Sequence, residues 1–127
     1  MTQPYYDNIE QATLSNNDYR RVLFTNKLQL VLMTLQPSED IGWEIHEGHD
    51  QFFRFEQGQG KVYVDDKEFD VKDGDAVVVP AGSKHNVVNT GDTPLKLYTI
   101  YAPPEHPEGV VHHTKQDQLE DPRYQGH

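Results

Sequence analysis

No cysteine occurs among the 127 residues, which excludes disulfides, thiolate metal sites and cysteine nucleophiles. Basic residues are scarce as well. Eleven Lys and Arg stand against 21 Asp and Glu, a formal net charge of -10. Nucleic acid and anionic membrane surfaces would repel such a chain, so neither is expected as a partner. The same excess serves plain solubility. Long apolar runs are missing. The most apolar stretch, residues 28–35, is interrupted by Gln29 and Thr34 and falls far short of the roughly 20 residues a transmembrane helix needs. The opening, MTQPYYDNIEQ, has neither a basic start nor an apolar segment. No signal peptide is read there, and a cytoplasmic location is expected. No window carries a 3.6-residue apolar period long enough to announce a helix.

What remains is a β-rich chain of single-domain size. Apolar residues make up 35% and the mean hydropathy is -0.82, so the core must come from a few concentrated segments. Residues 1–18 read as a partly extended arm ending in a turn. Strand signals then follow at short intervals: YRRVLFT (19–25), LQLVLMTLQ (28–36), IGWEIH (41–46), QFFRFEQ (51–57), KVYVD (61–65), KEFDVK (67–72), DAVVVP (75–80), KHNVVN (84–89) and LKLYTIY (95–101). Turn residues punctuate them, including Asn26-Lys27, Asp73-Gly74 and Ala81-Gly82. The run at 28–36 is apolar on both faces, as expected of a strand covered on both sides. Many short strands at this rhythm indicate a β-sandwich or small barrel over residues 19–103. Residues 104–127 are rich in Pro, His and charge. They are expected to wrap the surface or fray and to supply no core.

Two stretches carry chemistry. In WEIHEGHDQFFRFEQG (43–58), Glu44 and His46 share one strand face, and a hairpin can bring Gln51 opposite them. In GDAVVVPAGSKHNVVN (74–89), His85 opens a strand just after a tight turn. Two imidazoles and a carboxylate suit a divalent transition metal such as Fe, Mn, Ni or Zn. Gln51 can add a neutral oxygen ligand, or a hydrogen bond to Glu44 or to a bound water. Phe53 and Phe55 would keep the site dry. The bland alternative is that a Glu and two His in a β-rich chain are surface residues.

The second stretch contains G-x5-P-x-G-x2-H-x3-N in full, as Gly74, Pro80, Gly82, His85 and Asn89. This resembles motif 2 of the cupin superfamily. The first stretch resembles cupin motif 1, G-x5-H-x-H-x3,4-E-x6-G, with departures: Ser38 stands at the leading Gly, Glu44 at the first His and Gln51 at the Glu. His46 and Gly58 match. The resemblance covers residues 28–101 and is to small single-domain cupins. It implies an all-β double-stranded β-helix, a jelly-roll barrel, with a metal at its mouth held by Glu44, His46, Gln51 and His85. In effect the carboxylate has moved from position 51 to position 44, so the ligand charge stays at -1. The resemblance also implies a homodimer packed through residues 19–36.

Other residues have milder readings. His49 and Asp50 are expected to serve the turn, with Asp50 an alternative ligand if the strand bulges. Arg54 is expected to be a paired charge. His106, His112 and His113, with Glu105, can form a second metal site or a lid, but composition favours a solvated tail. Tyr98 and Tyr101 reach the cavity or pack. Two functions remain open. One is a metal-dependent enzyme of dioxygenase, isomerase or lyase type acting on a polar organic small molecule, with Glu44 as base. The other is a non-catalytic module that binds a sugar or carboxylate.

Overall fold

The computed structural model describes residues 3–124. In chain order the elements are α1 (Ile9–Ser15), β1 (Arg20–Thr25), β2 (Gln29–Leu35), β3 (Glu44–Ile45), β4 (Asp50–Gln57), β5 (Gln59–Val64), β6 (Lys67–Lys72), β7 (Ala76–Val79), β8 (Lys84–Asn89), β9 (Leu95–Ala102), β10 (Val111–His112) and α2 (Lys115–Glu120), followed by a 3-10 turn at Pro122–Tyr124. A six-stranded sheet runs β10-β1-β2-β9-β4-β7, and a four-stranded sheet runs β3-β8-β5-β6. Every pairing is antiparallel. This is the jelly-roll barrel that the resemblance implied, in keeping with the β-sandwich or small barrel read from the strand rhythm, and each of the nine strand signals becomes a strand. The segment at 41–46 shortens to two paired residues, because Gly42 takes a left-handed φ of 91° and breaks the extended run just before it. Among the described residues, no helix is long and apolar enough to cross a membrane.

Strand alternation builds the interior. Val31, Met33 and Leu35 of β2, Phe53 and Phe55 of β4, Leu95 and Leu97 of β9, Val62 of β5 and Val87 of β8 are all buried in one cluster. Gly60 of β5 is required there. A Cβ on it would lie 2.6 Å from the Val88 carbonyl oxygen and 2.8 Å from Leu95 Cδ2.

Two expectations need correction. The N-terminal arm contains α1, which is too short for an apolar period to register. It is defined instead by its cap: the Asn8 side chain accepts a 2.9 Å hydrogen bond from the Gln11 N–H. The helix packs on the outer face of the large sheet against β2, β4 and β9. Thr13 is buried there, and Asn16 hydrogen-bonds Thr34 and accepts from Lys96. That cover explains why β2 is apolar on both faces.

Residues 102–124 do wrap the surface, but they are held in place and give Val110 to the core, while residues 125–127 lie outside the described residues. His112 is buried and His106 half-buried, whereas His113 is exposed. Single polar anchors, which leave no periodic trace in sequence, hold the segment down. Gln29, fully buried in β2, accepts from the Glu105 and His106 N–H groups at 3.2 and 2.8 Å and donates to the His106 carbonyl at 2.8 Å. His112 pairs with Asp121 at 2.9 Å, and Lys115 reaches Asp40. Thr114 and Asp117 form a capping box on α2.

Candidate metal centre

The turn before β8 aims His85 inward. Gly82, with φ 88°, donates its N–H to the His46 carbonyl at 2.9 Å. The Ala81 N–H donates to Asp50 Oδ1 at 2.9 Å. Asp50 therefore serves the turn, as expected, by joining the first motif to the second. Asn89, the last residue of the second motif, is structural: its amide donates to the Leu35 and Thr93 carbonyls, both at 2.9 Å.

The β3–β8 register sets Glu44 directly opposite His85. Two residues on, His46 Nε2 donates to Glu44 Oε2 at 2.7 Å. Gln51 lies in β4 opposite Tyr101 and Val79. His85 Nδ1 lies 3.1 Å from the Ser83 carbonyl, and a neutral ring that donates there leaves a lone pair on Nε2. That lone pair faces Gln51 Oε1 at 3.1 Å, while the Gln51 amide nitrogen donates to Thr99 Oγ1 at 3.0 Å. Two acceptors facing each other is a poor hydrogen bond but a good cation seat. Metal–ligand bonds of about 2.0–2.2 Å at right angles place adjacent donors about 3 Å apart. One ligand atom each from Glu44, His46 and His85 lies within 4.8 Å of the others. A carboxylate, two imidazoles and an amide oxygen suit a divalent transition metal.

The electrostatics distinguish the two histidines. Burial lowers the His85 pKa and keeps the ring neutral, as a ligand must be. Burial opposes charge on His46 too, but the hydrogen bond to Glu44 and its negative charge outweigh that and raise its pKa. Phe53 packs near His85 with ring centres 6.2 Å apart, as a drying wall should.

The mouth opens into a cavity of about 520 Å³. Glu44 and His46 form its barrel side; Glu105, His106, Gln118 and Tyr124 are among the residues opposite. Tyr101 does reach inside: its hydroxyl contacts His106 Nε2 at 3.1 Å, and its ring meets His46 and His49 edge-on. Tyr98 is on the outer face against Phe52, and Arg54 pairs with Glu56 at 2.8 Å. His49 departs from expectation. Its side chain is buried, with its ring 4.6 Å from that of His46, rather than serving the turn. Glu105 joins it, with Oε2 3.3 Å from His49 Nε2. Sequence reasoning left His49 to the turn and raised Glu105 only within a tail cluster, as a second metal site or lid, that composition favoured as solvated. A His three residues after a ligand, in a turn, has no face that counting can predict. Glu105 arrives only through the Gln29 anchor.

The cupin domain family model matches residues 31–101, and the chain belongs to that family. Uncharacterized protein YrkC of Bacillus subtilis is 54% identical over 122 residues, covering 91% of this chain and 66% of that protein. The chain therefore spans somewhat under two-thirds of that relative. A crystal structure from Bacillus halodurans superposes with a TM-score of 0.90 at 48% identity, covering 92% of this chain and 94% of that one. An oxalate-binding protein of Thermotoga maritima is 30% identical over 76 residues, covering 59% of this chain and 63% of that protein.

Proposed function

We propose that the protein is a small metal-dependent cupin enzyme acting on a polar organic small molecule, most simply a carboxylate. One observation carries this reading. Glu44, His46 and His85 offer ligand atoms within 4.8 Å of one another, Gln51 Oε1 lies 3.1 Å from His85 Nε2, and Glu44 and His46 line a cavity of about 520 Å³. Glu44, His46, Gln51 and His85 would hold Fe, Mn, Ni or Zn. Such an ion supplies Lewis-acid polarisation of a substrate oxygen.

The chain's own residues do the rest. Thr99 holds the Gln51 amide so that its oxygen points inward. The Ser83 carbonyl, 3.1 Å from His85 Nδ1, would accept the ring proton when Nε2 serves the ion. Glu44, part-exposed at the cavity, has a second carboxylate oxygen to take a proton from the substrate, and His46 Nε2 donates to that carboxylate only when it is not holding the ion. Tyr101 and His106 close the far side against water. Proton abstraction of this kind underlies isomerase and lyase reactions and begins dioxygenation of enolisable substrates.

The test is metal content without a His tag, for wild type and for His46→Ala/His85→Ala. About one equivalent of metal at this site, lost in the double variant, supports the reading. Failure to bind any of the four ions sinks it. A second reading, non-catalytic carboxylate binding, is favoured by the oxalate-binding relative. Glu44→Gln separates the two: lost turnover with retained oxalate binding supports the enzyme.

The proposal extends to a homodimer in the cytoplasm. On the outer face of the large sheet, Leu30, Ile100, Phe52 and Val78 form a directly paired apolar row, and Val78 is 61% exposed. This row extends the dimer surface beyond residues 19–36. Light scattering that gives a monomer for wild type, or a dimer unchanged by Phe52→Asp/Val78→Asp, would remove that surface. The lack of cysteine suits a reducing compartment, and cell fractionation that recovers the chain outside the cytoplasm would overturn the location.

A further inference from the structure

We propose that His46, His49 and Glu105 form a second divalent-cation site, of the zinc type, which latches the C-terminal segment across the barrel mouth. It rests on the reading above only in sharing His46.

His49 Nε2 is fully shielded from solvent and makes no hydrogen bond among the described residues. Its nearest acid is Glu105 Oε2, 3.3 Å away but poorly aligned. The same oxygen lies 3.7 Å from His46 Nδ1. These separations are too long for charge-assisted hydrogen bonds, which run about 2.7–2.9 Å. The first matches, and the second slightly exceeds, the donor–donor edges of a tetrahedral site, about 3.3–3.6 Å for bonds of about 2.0–2.2 Å. One ligand atom from each of the three residues lies within 4.8 Å of the others.

His46 can serve both sites because its two nitrogens point apart; with both ions bound the ring bridges them as an imidazolate, and its one ring proton is released to solvent. Nε2 faces Glu44 at 2.7 Å, and Nδ1 faces Glu105. Glu105 is pre-positioned, because Gln29 holds its N–H and both backbone groups of His106. Two imidazoles, one carboxylate and an open fourth position towards the cavity describe a zinc site that retains an exchangeable ligand.

The experiment is a zinc(II) titration by calorimetry, with bound metal counted by native mass spectrometry. It uses the full chain without a tag, as wild type, Glu105→Gln, His49→Gln and His85→Ala. Wild type is expected to bind two equivalents. Glu105→Gln and His49→Gln should each bind one, with unchanged circular dichroism. His85→Ala should lose the other equivalent and keep this one. Hydrogen exchange in residues 104–124 should slow on zinc addition in wild type but not in Glu105→Gln. A wild type that binds one equivalent at most, or a second equivalent that survives both Glu105→Gln and His49→Gln, overturns the site. If His85→Ala changes nothing while Glu105→Gln loses one equivalent, the inner site fails and this one stands.

Discussion

At one end of the barrel interior, Leu35 pairs with Leu95, and Leu97 lies between Met33 and Phe55. At the other end of the same three strands, the row reads Gln29, Tyr101, Gln51, continued on β7 by Val79. The first end is packed to the point that Gly60 has no room for a methyl group. The second is polar, ringed by His46, His49 and His85, and covered by a segment from outside the barrel. One backbone geometry serves both ends, and only the side chains differ. Stability is concentrated where apolar groups close on one another. The candidate ligands gather where polar groups are left facing each other.

The widest separation of the two ends should come from Phe55→Ala. It empties the packed end and should cost about 3–5 kcal/mol in urea unfolding. Metal affinity per folded molecule should stay within about twofold; a parallel collapse of affinity would mean that the ends are not independent.

His85→Ala makes the reverse cut. Metal affinity at the inner site should fall at least about 100-fold, or about 2.7 kcal/mol, with unfolding free energy in metal-free buffer changing by only about 1 kcal/mol. A metal titration beside a denaturant curve reads both.

Gln29→Ala attacks the cover. It deprives three backbone groups of their partner and should cost about 2 kcal/mol. Hydrogen exchange should accelerate in residues 105–124 while β4 and β9 stay protected. Uniform acceleration would show that the segment and the barrel open together.

The smallest effect concerns pH. Burial opposes ionisation of Asp40, but hydrogen bonds from Lys115 and Asn86 outweigh it and hold its carboxyl below the usual range. With a depressed folded pKa, the contribution is complete above the ordinary Asp value of about 3.9 and is lost as pH falls through the lower folded value. Melting profiles of wild type and Asp40→Asn should differ at pH 6 and converge near pH 2. The difference should shrink in high salt, since the pair is part-exposed.

The packed end was legible because its signal is local. Alternation and turn residues marked β1 to β9. Fixed motif spacing singled out Glu44, His46, Gln51 and His85; the fold clusters the first two with His85 and sets Gln51 beside His85. Even a departure from the motif has a visible meaning: Ser38, at the position of a motif glycine, takes a left-handed φ of 72°, the conformation glycine would supply at no steric cost. The cover was not legible. α1 is declared by one capping asparagine. His49 turns inward from a loop that alternation does not govern. Glu105 and His106 are placed by a glutamine 76 and 77 residues away, through hydrogen bonds that leave no mark in either local sequence.

Gln29 has one more consequence. Its carboxamide offers a donor and an acceptor as a peptide group would, so β2 acquires a rung of ladder pointing into the barrel, where no strand can run. Two positions far apart in the chain therefore behave as one unit of inheritance. A chimera that takes residues 104–124 from a relative should keep its fit only if residue 29 travels with them.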